Sequence, residues 1–380
     1  MTRKTYFILL VLMSVDLWLP VLIVTGPHDG DFQCYVDYAK ILSTGQIPVP
    51  HIAYPFYVWM MSLIFVWYDS SLLTALFFAL LTPLVISWLF SKMLGSWKTR
   101  GEAASRLLII IAITIIGPIN LLTFPGHLYR GYFSPTAYHS PSYIALRPMA
   151  LFLVALLIFF GHAQEKTNRR IVFSALCFLF TILITLTKPN FTMCVVPTAV
   201  ILLFLPFRYA GFFKNRKLIL LSIISGGIVA LLWQLSVLKP LTYANRGLEN
   251  APAILFQPLV GMQSHWLLPK LFLSIAFPLS IAVLMGRNVL RTPTLILSWL
   301  LFLIGISYAY LLAQPGNLLY DDHFVWCGQI TLFVLIVFSS IELLRTEESR
   351  WTWVPKLFFG LQTFGGLLWY ASRFYPFAGW

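Results

Sequence analysis

Apolar segments of about twenty residues recur along the whole chain, and they constrain its fold more than any other feature. The runs from 5 to 24 and from 71 to 91 are the first two examples. The hydrocarbon core of a bilayer needs about 20 apolar residues per helical crossing, and it tolerates only helices and closed barrels as spanning structures. Barrel strands would alternate apolar and polar residues. The runs therefore predict membrane-spanning helices.

The composition excludes an ordinary soluble protein. Hydrophobic residues make up 59% of the 380 residues and charged residues 10%, whereas a soluble domain carries about 25% charged residues. The net charge of +13 does not indicate a nucleic-acid partner, because the cations occupy short connectors, where they act as topology signals. The four cysteines show neither metal-site nor disulfide spacing. We expect one polytopic membrane domain, residues 1–380, surrounded by membrane lipids.

The hydropathy pattern predicts about eleven crossings, within a range of ten to twelve. A further segment, 54–68, is apolar and aromatic but short for a crossing. The eleven predicted segments are 5–24, 71–91, 105–123, 144–162, 171–187, 192–208, 217–236, 267–285, 293–312, 323–344 and 356–373.

The distribution of cations favours a topology in which 54–68 does not cross. With the N-terminus inside, eighteen of the 26 Lys and Arg residues then fall in inner connectors and eight on the outer side, which is the bias of the positive-inside rule. A crossing at 54–68 would invert every later connector. The long loops lie outside in this topology, so we expect function on the outer face. These loops are 25–70, 124–143, 237–266 and 313–322.

The first outer loop carries the candidate catalytic groups. Asp29 and Asp31 form an Asp-Gly-Asp step directly after the first helix, where water and substrate can both reach the carboxylates. Asp37 follows, and the segment from Tyr35 to Leu42 has the apolar spacing of a short amphipathic helix lying along the membrane interface. Carboxylates next to a helix also serve as caps. The pattern alone leaves catalysis and capping open.

This loop resembles the first luminal loop of GT-C glycosyltransferases, multi-spanning enzymes that use lipid-phosphate sugars as donors. The mannosyltransferase of glycosylphosphatidylinositol assembly has an Asp-x-Asp-aromatic stretch followed by Asp-x-Ala. Here these read Asp29-Gly30-Asp31-Phe32 and Asp37-Tyr38-Ala39. Tyr54-Pro55-Phe56 is similar to a Tyr-Pro-Pro step of bacterial relatives, although the second proline is absent.

The resemblance implies a GT-C-like helical bundle and an inverting glycosyl transfer. The donor would be a polyprenyl-phosphate sugar and the acceptor a lipid-linked or cell-envelope glycan. Asp29 or Asp31 would be the general base that takes the proton of the acceptor hydroxyl, while the other positions the acceptor or a divalent cation, Mg or Mn. Asp37 and Tyr35 would contact substrate. The resemblance implies no definite cofactor, and it leaves the metal requirement, the sugar, the acceptor and the linkage open.

The anionic leaving group of such a reaction needs cations on the outer side, and the second long loop supplies them. It contains His127, Arg130 and His139, and Arg147 stands near the start of the next helix. A forked guanidinium suits phosphate oxygens, and a helix N-terminus adds a favourable dipole. We expect His127, Arg130 and Arg147 to bind the donor phosphate and His139 to bind substrate. Snorkelling of the arginines to lipid headgroups is the alternative.

Later parts of the chain complete the predicted site. Lys188 opens a Lys-Pro-Asn turn that resembles one in bacterial members of the superfamily, and it either binds the donor phosphate or closes a helical hairpin. Arg246 is the best phosphate-binding candidate of the third long loop. Asp322 and His323 stand before a membrane helix, where they either contact substrate or complement the helix dipole.

Two other functions compete with glycosyl transfer. An O-antigen or polysaccharide polymerase or ligase would also present outer arginines, to polyprenyl-diphosphate glycans, but it does not depend on an acidic pair in the first loop. A lipid or solute transporter is expected to show repeats and broken or charged helices at the midplane.

The small size and the lack of a soluble domain favour the inner membrane of a bacterium. The N-terminus would then be cytoplasmic and the active site periplasmic. An enzyme of the endoplasmic reticulum with a luminal active site is the alternative.

Overall fold

The structure of the protein, a computed structural model, describes most of the chain. The described residues are 1–26, 32, 35–37, 39–40, 55–64, 70–121, 131–138, 140–160, 167–204, 211–214, 216–245, 255–256, 264–313 and 323–374.

Helices account for nearly all of the described residues, so the all-α class is confirmed. One short pair of strands, β1 (Leu255–Phe256) and β2 (Leu312–Ala313), is antiparallel. A 3-10 helix, Gly286–Arg291, connects two of the α-helices. The α-helices are α1 (Arg3–Thr25), α2 (Pro55–Ile64), α3 (Ser70–Leu94), α4 (Arg100–Ile115), α5 (Pro141–Phe159), α6 (Thr167–Thr187), α7 (Asn190–Phe204), α8 (Gly211–Lys214), α9 (Lys217–Asn245), α10 (Leu267–Met285), α11 (Pro293–Leu311), α12 (Val325–Arg345) and α13 (Trp353–Ser372).

All of the predicted segments contain a helix. Within the described residues, 8 helices are long and apolar enough to cross a membrane, namely α1, α3, α5, α6, α9, α10, α11 and α12. The helices α4 and α7 also fall on predicted segments but have only 16 and 15 residues, and α13 contains a lysine, a glutamine and three glycines. The helix α2 has 10 residues and is therefore about 15 Å long, half the thickness of the hydrocarbon core.

The helices α5 and α12 form the centre of the bundle. Over the most apolar stretch of each helix, 89% of the residues are buried in α5 and 83% in α12, whereas 28% are buried in α1. A helix that is apolar on every side needs neighbours on every side. Accordingly α5 packs against α3 and α6, and α12 packs against α7, α10 and α11.

The helix α4 ends earlier than predicted, at Ile115 rather than near residue 123. The reason is local, because Pro118 lacks a backbone N–H and its ring disfavours a helical conformation at Gly117. The chain after α4 pairs with other helices instead. Gly117 N donates to the Gln362 carbonyl oxygen at 3.1 Å, and Ile119 N donates to the Leu273 carbonyl oxygen at 3.3 Å.

Two glycines of α13 allow this close approach of backbone to backbone. A Cβ atom at Gly366 would collide with the carbonyl oxygen of Ile115, and one at Gly365 would collide with that of Pro118. Glycine is therefore required here by contact between the two segments.

Contacts between connectors identify one end of the bundle, which we call the basic end and define by Arg3, Ser96, Arg216 and Arg345. Arg3 Nη2 donates to Ser96 Oγ at 2.9 Å, which brings the start of α1 beside the end of α3. Arg345 Nη2, at the end of α12, donates to the carbonyl oxygen of Met93 at 2.7 Å. Arg216, before α9, reaches the end of α5. These contacts require α1 and α3 to run antiparallel, as the predicted topology has them.

The opposite end, which we call the polar end, is defined by Thr114, Ser140, Lys188, Asn190 and His323. It contains the end of α4, the start of α5, the turn between α6 and α7, and the start of α12. Lys188 Nζ contacts Ser140 Oγ, and Asn190 Nδ2 contacts the carbonyl oxygen of His323. The described parts of three connectors that the sequence assigns to the outer side, those before α5, α7 and α12, therefore meet at one end.

Candidate functional site

The chain after α1 forms a short helix with one buried face. The described residues between 32 and 40 are helical. Phe32, Tyr35 and Ala39 are buried, whereas Asp37 is exposed. Buried positions three and four residues apart make one stripe on a helix. The predicted amphipathic helix is confirmed over its described residues, and Asp37 lies on its exposed face.

Aromatic side chains attach this short helix to the bundle. The rings of Tyr35 and Tyr57 meet edge to face with centroids 5.2 Å apart, and the Tyr57 ring lies 6.4 Å from that of Phe78. Tyr57 Oη donates to the carbonyl oxygen of Ser71 at 3.5 Å. Tyr35, a predicted substrate contact, therefore also anchors the helix to α2 and α3.

Lys188 lies at the centre of a polar and aromatic cluster at the polar end. Its ammonium donates to Ser140 Oγ at 3.1 Å and lies 3.8 Å from the centroid of the Trp326 ring. The Tyr143 ring lies 5.0 Å from that of Trp326. We call Ser140, Tyr143, Lys188 and Trp326 the Lys188 cluster. Since an indole face attracts a cation, Trp326 and Ser140 together hold the ammonium in place, and the side chain is only 7% exposed.

The Lys-Pro-Asn turn positions this lysine. Pro189 disfavours a helical conformation at Lys188, and α6 ends at Thr187. The next helix starts at Asn190, whose Nδ2 donates to the carbonyl oxygen of His323 at 2.7 Å and approaches Cys327 Sγ at 3.4 Å. The turn is thus bonded to the start of α12. This accounts for the predicted closing of a hairpin and also places the lysine beside α12.

Ser140 occupies the N-cap position of α5 but does not cap it with its side chain. Pro141 follows at the first helical position, where a missing N–H costs nothing. The hydroxyl of Ser140 instead accepts from Lys188. Tyr143, one turn into α5, donates from Oη to the carbonyl oxygen of Pro135 at 3.1 Å. Both Ser140 and Tyr143, at the start of α5, therefore use their hydroxyl groups in contacts at the Lys188 cluster rather than in capping the helix.

Arg147 lies one turn deeper in α5 than Tyr143, on the same helix face. Its guanidinium is buried and donates to the carbonyl oxygen of Thr114 from both terminal nitrogens, each at 3.2 Å, and to that of Ile113 at 3.4 Å. Its Cζ lies 4.2 Å from the centroid of the Phe333 ring. These contacts satisfy the last carbonyl groups of α4. The phosphate-binding role of Arg147 stays a prediction beside this observed structural one.

The polar end holds a second buried lysine that the sequence did not single out as a site residue. Lys270, 1% exposed, donates from Nζ to Ser264 Oγ at 2.6 Å and lies 5.3 Å from the centroid of the Tyr132 ring. Gly131 has a φ of +83° and approaches Ser264 so closely that a Cβ atom would collide with its side chain. A lysine inside a predicted membrane segment is itself an indication of a functional or paired residue, and this was the one feature of the sequence that pointed to Lys270.

Seven of the predicted site residues lie outside the described residues, and their roles stay predictions. Of the other five, Lys188 and His323 lie at the polar end, where Asn190, two residues after Lys188, donates to the His323 carbonyl oxygen. Arg147 lies deeper in α5, and Tyr35 and Asp37 lie on the short helix after α1. The seven are Asp29, Asp31, His127, Arg130, His139, Arg246 and Asp322.

Metal ligands do not cluster in the described part of the chain. No group of three or more His, Cys, Asp and Glu side chains occurs there. Cys177, Cys194 and Cys327 are free, buried thiols. The predicted divalent cation at Asp29 and Asp31 concerns residues outside the described ones.

Comparisons with known proteins give a structural likeness. No protein-family model matches the chain, and no curated protein matches it. Among solved structures, the chain is similar to the crystal structure of the oligosaccharyltransferase of Archaeoglobus fulgidus in the apo form, with 13% sequence identity and a TM-score of 0.49. The alignment covers 97% of this chain and 55% of that one. The chain thus spans about half the length of the archaeal protein.

Proposed function

We propose that this protein is a membrane glycosyltransferase of the GT-C type, which transfers a sugar from a polyprenyl-phosphate donor to a lipid-linked or cell-envelope glycan acceptor. The observation that carries the proposal is the Lys188 cluster. A buried ammonium, a hydroxyl and two aromatic faces meet there, at the end of the bundle where α1 leads into the Asp-Gly-Asp sequence. Such a transfer needs a cation for the departing phosphate and a carboxylate for the incoming hydroxyl.

The proposed reaction is a single displacement at the anomeric carbon. The oxygen of the acceptor hydroxyl forms the new glycosidic bond while the bond from the sugar to the lipid phosphate breaks, and the configuration inverts. Asp29 or Asp31 takes the hydroxyl proton as general base. The lipid phosphate leaves with the electron pair of the broken bond. A divalent cation, Mg or Mn, bound by the same two carboxylates would supply further neutralisation of the phosphate.

The proposed role of Lys188 is to stabilise the charge that develops on the departing phosphate. An ammonium held in a buried site does so without reorganising at the moment of reaction. The hydrogen bond that it donates to Ser140 and the face of Trp326 already fix its position. The partly exposed ring of Trp326 is of the kind that stacks on sugars, and the buried ring of Tyr143 packs against it. His323, bonded through its carbonyl to the same turn, is proposed to contact substrate.

The proposed orientation puts the polar end outside the cytoplasm. Among the described residues, the connectors of the basic end carry most of the Lys and Arg residues, and the positive-inside rule assigns such connectors to the cytoplasm. A bacterial inner membrane with a periplasmic active site is the proposed location.

The test is a transfer assay on the purified protein in lipid nanodiscs. Radiolabelled polyprenyl-phosphate sugars are offered with lipid-linked and glycan acceptors, and the glycosidic product is separated and its anomeric configuration read by NMR. We expect an inverted product from the wild type. Lys188→Met should lower kcat by about 100-fold, the size seen when one preorganised donor is removed, while Lys188→Arg keeps part of the rate.

The matched control is Lys92→Met. It removes an exposed lysine in the last turn of α3, at the basic end of the bundle, and should leave the rate unchanged. Equal rates for Lys188→Met and the wild type would contradict the role of the Lys188 cluster. Movement of labelled lipid between leaflets without a new glycosidic bond would contradict the enzyme proposal and support the transporter.

A further inference from the structure

An apolar groove lies between α10 and the start of α13, away from the Lys188 cluster. Its volume is about 690 Å³, and it is lined by Phe272, Ala276 and Val283 on one side and by Trp351 and Phe358 on the other. The α10 part of the lining extends from Phe272 to Leu284, which is about 18 Å along a helix axis. Half of the hydrocarbon core is about 15 Å thick. The groove therefore has the depth of one membrane leaflet.

The chemistry of the lining suits a hydrocarbon chain. Among the lining residues, only Ser280 and Trp351 have a polar side-chain atom, and Ser280 Oγ donates to the carbonyl oxygen of Phe277 at 2.6 Å. Val283 is 75% exposed and Phe272 55% exposed, so the groove is open from the side. In a membrane-spanning bundle that side faces lipid. The lining side chains therefore offer an occupant few hydrogen-bonding groups, the Ser280 hydroxyl and the Trp351 indole N–H.

Arginines flank the lining residues in the sequence at the basic end. Arg287 and Arg291 follow α10 in the 3-10 helix, and Arg350 precedes Trp351, with its Cζ 5.5 Å from the centroid of the Trp351 ring. Within the described residues, none of these three arginines takes part in an ion pair. Lys356, by contrast, is bonded to Glu348. Unneutralised arginines at a membrane surface attract anionic lipid headgroups.

We propose that this groove binds one anionic glycerophospholipid of the leaflet at the basic end. An acyl chain lies along α10 between Phe272 and Leu284. The headgroup phosphate contacts Arg350 and Arg287, and the exposed Trp351 sits at the level of the headgroup, where indoles settle. The site is distinct from the Lys188 cluster and does not rest on the proposed glycosyl transfer.

The test is native mass spectrometry of the full chain with added phosphatidylglycerol or phosphatidylcholine of equal acyl length. We expect the wild type to retain one phosphatidylglycerol in preference to phosphatidylcholine. Each of Arg287→Gln and Arg350→Gln should lower this preference about fivefold, since a basic residue near the surface is worth about 1 kcal/mol. Ala276→Phe, which fills the groove, should lower retention of both lipids.

Two matched variants control for general effects. Arg169→Gln removes an exposed arginine of the basic end on α6, and Val229→Phe enlarges an exposed side chain of α9. Both should bind phosphatidylglycerol like the wild type. Melting midpoints equal to that of the wild type establish that every variant is folded.

Three results would overturn the proposal. One is equal retention of the two phospholipids by the wild type. Another is unchanged binding in Ala276→Phe, which would place the lipid elsewhere. The third is displacement of the bound phospholipid by a second copy of the chain or by polyprenyl phosphate at equal concentration, which would assign the groove to that occupant.

Discussion

Replacing Arg147 by methionine tests whether its guanidinium holds the end of α4. The last carbonyl groups of α4 have no partner in their own helix, because Gly117 N donates to the Gln362 carbonyl oxygen and Pro118 has no N–H. Arg147 supplies the missing donors to Thr114 and Ile113. Methionine keeps an unbranched apolar side chain beside Phe333 but donates no hydrogen bond.

The expected cost follows from the contacts that are lost. The carbonyl of Thr114 keeps a second donor, Thr136 Oγ1 at 3.3 Å, so Ile113 is the carbonyl that loses its donor. A hydrogen bond to a charged group contributes about 1.5–3 kcal/mol, and a bare buried carbonyl costs about 1–3 kcal/mol. The methionine variant also avoids burying a cation, which offsets part of this cost. We expect the free energy of unfolding to fall by about 3 kcal/mol.

The assay is thermal unfolding of the purified protein in one detergent at one scan rate, followed by the fluorescence of its tryptophans. The expected fall in the melting midpoint is about 5 °C for a chain of this size. Arg216→Met is the matched variant, because Arg216 donates to the carbonyl oxygens of Phe212 at 2.6 Å and Ile158 at 2.9 Å, and its midpoint should fall similarly. An unchanged midpoint in Arg147→Met, together with lost donor binding, would mean that the guanidinium does not hold the end of α4, and it would favour the phosphate-binding role.

Further predictions concern the glycine contact, the turn and one exposed ion pair. Gly366→Ala should lower the melting midpoint because its Cβ meets a backbone carbonyl, whereas Gly360→Ala, with nothing within 4 Å, should leave the midpoint unchanged or raise it; thermal unfolding of both variants decides. Asn190→Leu should cost about 1 kcal/mol of unfolding free energy, the usual worth of one hydrogen bond, and equal denaturation curves would count against the bond. Lys356 lowers the pKa of Glu348 by a hydrogen bond and by its charge, so Lys356→Gln should raise that pKa in an NMR titration. A lowered carboxyl pKa stabilises the fold only above the ordinary pKa, and that contribution disappears as the pH falls through the lowered value. Because the pair is exposed, the midpoint at pH 7 should not change.

The positions of the helices could be predicted from the sequence because segment length and apolarity determine what crosses a bilayer. The short helix after α1 was predictable for the same kind of reason, since its apolar residues recur at helical spacing. The end of α4 was predicted wrongly although its signal was present. Gly117 and Pro118 stand inside an apolar run. Hydropathy measures only how apolar a segment is, so it does not show that the helix ends there.

The candidate site could be predicted only as a set of residues on one face. Successive helices cross the membrane in opposite directions, which places Lys188 and His323 at the same end. In the structure, the Lys-Pro-Asn turn is bonded to the backbone carbonyl of His323 through Asn190. The bond from Lys188 to Ser140 joins residues 48 apart in the sequence, and no local pattern predicts such a pair. The role of Arg147 was hidden for the same reason, because its acceptors are backbone carbonyls, which every residue carries.

The groove between α10 and α13 was not predictable from sequence either. Its lining residues are ordinary apolar residues of two membrane segments, and only their packing leaves a space between them.

The central claim is that a carboxylate of the first loop is the base of a glycosyl transfer, and the most direct measurement compares three acidic variants in the transfer assay. Asp29→Asn and Asp31→Asn remove the candidate bases, and Asp16→Asn, an exposed acid within α1, is the matched control. General-base catalysis contributes about 100-fold to 10,000-fold. We expect the control to transfer sugar like the wild type and at least one of the other two variants to lose about 100-fold or more in kcat. Transfer at the wild-type rate by both Asp29→Asn and Asp31→Asn would contradict the central claim, and loss in Arg130→Ala and Arg246→Ala alone would favour a polymerase or ligase.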